Sequence, residues 1–326
     1  MSSSNMTSNM KAIVISNFGP VENLVIKDVP KPSATVPGTA LSVPISGIEC
    51  VGVVEECPGG ELAEGTPVAS MMGGLGRTIP GSYAEYTVAN VNNIVALGVP
   101  GEELPVTWAE AAALPESYAT AWTCLFRNLD FAKGQNLLIR GATSSFGRAA
   151  VGLAVEAGAI VTATSRTEAK FPVLKELGVA DAVLEGPNLG QRLRDSGKPA
   201  KFDRVLELSS NLYSSSTEMA VFVWQVGLAA WIRSKVQLAP MRTEVLTLFC
   251  KWPVGFTSAS LAALSFGSEE FPVSDVPLRT IMQKVADGKI HAKPWKVFKF
   301  EEIHAAHEAM ETGEAEGKMV VTVGQQ

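Results

Sequence analysis

One stretch restricts the fold of this chain more than any other. Between residues 136 and 208, aliphatic and β-branched runs alternate with helix-forming segments, and each is closed by glycine or a polar turn. NLLIR at 136–140 predicts a strand, 141–147 a glycine-bounded turn, 148–157 an amphipathic helix ended by Gly158, and IVTAT at 160–164 a second strand. Residues 170–177 predict a helix stopped by Gly178, 182–184 a short strand, 189–195 a helical piece and 203–208 (DRVLEL) another strand. This repetition predicts a parallel sheet with helices on both faces, the doubly wound α/β class.

Upstream the texture differs. Residues 11–16, 51–55 and 84–88 are short apolar runs separated by Gly-Pro, Pro-Gly, Gly-Gly and Asn-Asn pairs, which predicts a β-rich lobe of strands cut by turns. Thr107, with Glu110 three residues on, forms a capping-box pattern ahead of Ala111, Ala112, Ala113 and Leu114, and 119–128 predicts a further helix. Near the end, 276–287 predicts a helix closing on Gly288, 297–300 a strand, 301–311 a helix ending at Gly313, and 319–323 a last strand. After Ser209 the pattern is ambiguous. Val221, Trp224, Gln225, Leu228, Trp231 and Ile232 fit a helix packed on most of its circumference, while so apolar a run also suits a strand.

Composition narrows the function. With 46% hydrophobic and 18% charged residues, a chain of 326 residues has apolar material for two domains. Lys and Arg number 27 against 33 Asp and Glu, a net charge of −6 with no basic block, so neither nucleic acid nor an anionic membrane is the expected partner. The most apolar stretch, 219–232, is 14 residues long, and a bilayer span takes about 20. Cys50, Cys57, Cys124 and Cys250 form no C-x-x-C pair, which suits a reducing, cytoplasmic compartment. Residues 1–9 lack the basic start and apolar run of a signal peptide and read as a frayed tail. His304 and His307 share a helix face with no Cys or carboxylate pair nearby, so a surface or packing role is expected and no metal site.

The turn Gly141-Ala142-Thr143-Ser144-Ser145-Phe146-Gly147 follows a strand and opens a helix. Unpaired N–H groups and the helix dipole make such a place an anion site, and a pyrophosphate fits it. Gly141 suits the sharp turn and Gly147 lets the helix lie close on the sheet. Ser144 takes the middle place, where a glycine would let a phosphate approach the backbone. The next strand runs into Ser165 and Arg166, with Lys170 one helical turn on. A hydroxyl with a guanidinium there binds a 2′-phosphate, where an acidic residue would bind the 2′-hydroxyl of NAD, so NADPH is the expected cofactor. The competing reading keeps the turn for helix packing alone and leaves Arg166 a solvated charge.

At these residues the chain resembles the zinc-independent medium-chain dehydrogenases/reductases of the quinone oxidoreductase or enoyl reductase type. The matching pieces run in order: MKAIVISNFGPVENLVIKDVPKP, GIECVGVVEE, GSYAEYTV, AAALPESYATAWTCLF, LLIRGATSSFGRAAVGLAVEAGAIVTATSR, FDRVLEL and DGKIHAKPWKVFKFEEIHAAHEAMETGEAEGKMVVTV. The resemblance implies a GroES-like catalytic lobe over 10–118 and 262–326, shortened, with a Rossmann dinucleotide-binding domain over 119–261. It places the cofactor loop on 141–147, the 2′-phosphate contacts on Ser165, Arg166 and Lys170, a lysine beside the cofactor on Lys318, and Thr120 near the nicotinamide end. Lys318 opening a strand and Thr120 capping a helix are the plain alternatives. Zinc-dependent relatives carry Gly-His-Glu where this chain reads Gly47-Ile48-Glu49, and their four-cysteine lobe is absent, so catalytic zinc is not expected.

Two departures bear on mechanism. Only 14 residues, SATVPGTALSVPIS, separate Pro32 from Gly47, where the family has a longer passage with polar residues near the substrate, so no catalytic residue transfers. After Leu208 the family's glycine-rich nicotinamide wall is replaced by NLYSSSTEMAVFVWQVGLAAWIRSKVQLAP. The implied function is NADPH-dependent reduction of an activated C=C bond, a quinone or an enone, with Tyr83 and Tyr118 as candidate substrate donors and a homodimer as the expected assembly. The alternatives are a non-redox descendant of the scaffold, binding or isomerising a small molecule, and an inactive truncated product.

Overall fold

The computed structural model describes residues 8–17, 19–33, 45–198, 201–208, 221–222, 266–269 and 271–323. The expectations for 219–232, for Trp224 and Trp231, and for most of the shortened passage before Gly47 therefore lie outside the described residues.

The chain opens with an antiparallel hairpin, β1 (Asn9–Ile15) and β2 (Leu24–Pro30). Alternation along β1 sends Met10, Ala12 and Val14 towards Val29, Ile45 and Ala84, while Ile13 on the other face packs with Leu24, Phe300 and Ile303. A three-stranded antiparallel sheet follows, β3 (Glu49–Val53), β4 (Pro67–Met71) and β5 (Ile94–Ala96). The strand predicted at 84–88 is absent. Ala84 makes one bridge to Ala12, with Ile13 N–H donating to the Tyr83 carbonyl and Glu85 N–H to the Lys11 carbonyl. Beyond it Tyr86 and Val88 stand exposed, and among the described residues no strand pairs with the run.

Thr107 caps α1 (Trp108–Ala112) with the reciprocal bonds the sequence predicts: its Oγ1 accepts from Glu110 N–H, and Glu110 Oε2 accepts from Thr107 N–H. The helix expected at 119–128 begins earlier, as α2 (Pro115–Trp122), because Pro115 is preorganised for a first helical position. It runs into a π-helical turn at Thr123–Asn128. Seven of the eight α2 residues, Pro115 to Ala121, are buried.

The parallel sheet comprises β6 (Asn136–Arg140), β7 (Ile160–Ser165), β8 (Asp181–Leu184), β9 (Arg204–Glu207) and β10 (Val221–Phe222), in the order β10-β9-β6-β7-β8. Its helices are α3 (Ser145–Glu156), α4 (Phe171–Glu176) and α5 (Leu189–Asp195). Period-two alternation distributes the faces. Leu137 and Ile139 join Phe146, Ala150 and Leu174 on one side, while Leu138 packs with Leu189, Leu193, Phe202 and Val205 on the other. The sheet is therefore covered on both faces, as predicted. Closing the chain are α6 (Leu278–Ala286), β11 (Lys296–Lys299), α7 (Ile303–Glu311) and β12 (Met319–Thr322), with β11 and β12 parallel. One apolar core runs from Met71 and Leu97 through Leu114 and Leu125 to Ile139, Phe146 and Met282, so α2 joins the two sheets.

Candidate functional site

Gly141 leaves β6 with φ +74, a conformation glycine adopts without strain. The helix then starts at Ser145, three residues ahead of expectation. Ser144 is its N-cap: Oγ accepts from Gly147 N–H at 3.0 Å and donates to the Gly141 carbonyl at 3.1 Å. Gly147 is required for a reason other than helix-to-sheet packing, since a Cβ there would meet the Gly141 carbonyl oxygen at 2.5 Å and Ala142 Cα at 2.7 Å. The turn folds back over its own start. Within it Ala142 and Phe146 are buried anchors, Ser144 is exposed, and Thr143 and Ser145 are half-buried.

Of the predicted 2′-phosphate residues, Ser165 is 2% exposed and its Oγ is engaged locally, donating to the Thr167 carbonyl at 2.9 Å and accepting from Thr167 N–H. Arg166 is exposed and, among the described residues, forms no ion pair. Lys170 is half-buried at the start of α4. Beneath them lies a network that sequence reasoning missed. Arg140, 8% exposed, binds Glu185 through Nη2 at 2.5 Å and Nε at 3.2 Å, and Glu207 through Nη1. Burial pushes the Glu185 carboxyl up, but its bonds to Arg140, Thr164 and Gly186 N–H together hold it below the usual carboxylate range.

A second cluster joins β3, α2 and the residue before β12. The Lys318 ammonium pairs with Glu49 Oε1 and lies 3.5 Å from Ser117 Oγ; Glu49 Oε2 accepts from Glu116 N–H at 2.9 Å. Ser117 Oγ in turn meets Ser145 Oγ at 3.3 Å, which ties the cluster to the first turn of α3. Thr120 sits inside α2 and does not cap it; its hydroxyl donates to Glu116 Oε1 at 3.1 Å. Burial, and then the charge of Glu49, pushes the Glu116 carboxyl up. Burial opposes the Lys318 charge, yet Glu49 and Glu116 raise the ammonium above its ordinary value, so it stays protonated.

A cavity of about 520 Å³ opens beside these groups, lined by Tyr118, Ser145, Arg148, His291, Lys293 and Lys318 among others. Tyr118 donates to the His291 carbonyl at 3.4 Å, and burial raises its hydroxyl pKa. Tyr83 does not line this cavity. Its hydroxyl lies 3.2 Å from His307 Nε2, the rings meet edge to face, and burial pushes it up to about 12. His304 Nε2 bonds the Leu24 carbonyl at 2.7 Å, so both histidines pin α7 to the hairpin region. Burial raises the thiols of Cys50 and Cys124, which keeps them from acting as nucleophiles at neutral pH. Cys250 lies outside the described residues. Among the described residues, no group of three or more His, Cys, Asp or Glu converges to hold a metal.

A glycine-bounded turn at the carboxyl end of a parallel sheet, joined through one helix to an antiparallel β lobe, defines a two-lobed α/β fold. Residues 180–321 match the family model described as zinc-binding dehydrogenase. The structure of AibC superposes with a TM-score of 0.72 at 22% identity, over 100% of this chain and 99% of that one. The quinone oxidoreductase from Coxiella burnetii gives 0.70 at 20% identity, over 97% and 100%, and CurK enoyl reductase 0.67 at 18% identity, over 97% and 100%. The chain shares the fold of these proteins, a GroES-like lobe with a Rossmann-type sheet. In sequence it is 29% identical over 317 residues to a phenolphthiocerol/phthiocerol polyketide synthase of Mycobacterium tuberculosis, covering 93% of this chain. The match to highly reducing polyketide synthase 40 of Fusarium pseudograminearum is 24% over 285 residues, 84% of this chain. The chain spans 13% and 10% of the length of these two relatives.

Proposed function

We propose that the chain is an NADPH-dependent oxidoreductase that reduces an activated C=C bond, a quinone or an enone without zinc. The observation that carries the reading is the turn itself: Ser144 caps α3, and residues 143, 145 and 146 bring backbone N–H groups to a helix N-terminus. The quinone oxidoreductase and enoyl reductase of similar fold support it. In this reading 119–261 is the dinucleotide-binding domain, and 10–118 with 262–326 the catalytic lobe. Gly141, Ala142, Thr143, Ser144, Ser145, Phe146 and Gly147 form the turn that holds the pyrophosphate, and Arg166 with Lys170 selects the 2′-phosphate, while Ser165, bonded to Thr167, braces the chain between them. When bound, NADPH supplies the hydride. Lys318, with Glu49, Ser117 and Thr120, forms the charged wall between the lobes, and the protonated Tyr118 hydroxyl would turn from the His291 carbonyl to a substrate oxygen. Ile48, where zinc-dependent relatives carry His, and the pairing of Glu49 with Lys318 support chemistry without zinc. A cytoplasmic homodimer acting on a small molecule completes the reading.

Titrating NADPH and NADH against wild type and Arg166→Ala tests it. The expected result is NADPH binding in the micromolar range, weakened about tenfold by the substitution, with NADH affinity unchanged. Absence of NADPH binding at tens of micromolar overturns the reading. Binding without turnover of enones or quinones favours a non-redox descendant of the scaffold.

A further inference from the structure

Arg140 ends β6 and Gly141 opens the turn, so whatever fixes the Arg140 side chain and the Gly141 N–H also fixes the direction in which the turn leaves the sheet. A single carboxylate does both. Glu185 follows β8 at the carboxyl end of the sheet, and its two oxygens accept from Arg140 Nη2 and Nε. Oε2 also accepts from Thr164 Oγ1 at 2.7 Å, and that same oxygen of Thr164, wholly buried, accepts from Gly141 N–H at 3.1 Å. The direction of this chain is forced. An ionised carboxylate only accepts, so the threonine hydroxyl must donate to Glu185 and thereby presents a lone pair to Gly141. Gly186 N–H occupies Oε1 as well, which leaves the carboxylate fully engaged and oriented.

We propose that Glu185 is a positioning residue for the dinucleotide turn, setting through Thr164 and Arg140 the conformation in which residues 143, 145 and 146 present their amides to a phosphate. The proposal rests on the reading of that turn as the cofactor site, and it adds a determinant 38 residues beyond the glycine-bounded motif. A glutamine at 185 keeps the size but puts an N–H donor in place of one oxygen: at the Oε1 place it faces the donors Arg140 Nη2 and Gly186 N–H, and at the Oε2 place Thr164 Oγ1 and Arg140 Nε. Valine at 164 keeps the shape and removes only the relay.

The test compares wild type, Thr164→Val, Glu185→Gln and Glu185→Asp by NADPH titration, amide hydrogen exchange and thermal melting. Thr164→Val and Glu185→Gln are expected to weaken NADPH about tenfold. Exchange should speed up in the turn and stay unchanged in α5, and Glu185→Asp, which keeps the charge, should recover part of the affinity. Variants that melt lower but bind NADPH and exchange at the turn as wild type does would reduce Glu185 to a sheet-end ion pair and overturn the proposal. If wild type binds no NADPH, the cofactor reading fails by itself and exchange decides this one. Faster exchange at the turn sustains Glu185 as its organiser, and unchanged exchange overturns it.

Discussion

Ser144 uses one oxygen twice, accepting from Gly147 and donating to Gly141, and this sets what its replacement costs. Ser144→Ala is expected to lose about 0.5–2 kcal/mol in urea unfolding, while Ser144→Gly loses only a few tenths. Glu116 behaves in the opposite sense. Its carboxyl is buried beside Glu49, so its pKa is raised and ionising it costs the folded state. Below the unfolded value of about 4.3 the group is protonated in both states; as pH rises from there towards the raised folded value, stability falls. Glu116→Gln should therefore raise the melting midpoint near neutral pH and change it little near pH 4, in a series of thermal melts. The sequence made Ser144 legible as part of a turn, because turn and helix start form one local pattern, whereas Lys318 entered only through the family resemblance. It did not disclose Glu49 as the partner of Lys318 or Glu185 as the partner of Arg140. Ion pairs 269 and 45 residues apart leave no periodic trace in the chain.

Elements were legible wherever glycine, proline or a capping residue closes them. β6 and α5 match their predicted spans, since Gly141 ends the one and apolar periodicity sets the other. The misses share one cause, a local choice decided by tertiary contacts. The run at 84–88 has strand composition but only one bridge to β1, and α2 gives way to a π-helical turn that sequence periodicity at 3.6 does not show. α4 has six residues, too few to persist alone, and is held by Leu174, which is wholly buried. Leu174→Ala is expected to cost about 2–5 kcal/mol by urea unfolding. Residues 166–177, which carry Arg166 and Lys170, should lose hydrogen-exchange protection ahead of β6 and β7.

For the whole molecule, the charge network at the carboxyl end of the sheet predicts the acid limb of stability. Because the folded pKa of Glu185 is depressed, its contribution is present above the unfolded value of about 4.3 and is lost as pH falls through the folded one. Glu185→Gln should flatten the midpoint-versus-pH curve on that side. The two-sheet plan was legible from alternation and turn signals, whereas the joining of the sheets through α2 into one core was not, because that contact depends on which face each buried residue presents. The pairing of Lys318 with Glu49 also has a consequence in time. During synthesis from the N-terminus, the hairpin, β3 and α2 exist long before residue 318 leaves the ribosome, so two carboxylates wait in the nascent core without their ammonium. The wall between the lobes closes only when that lysine arrives.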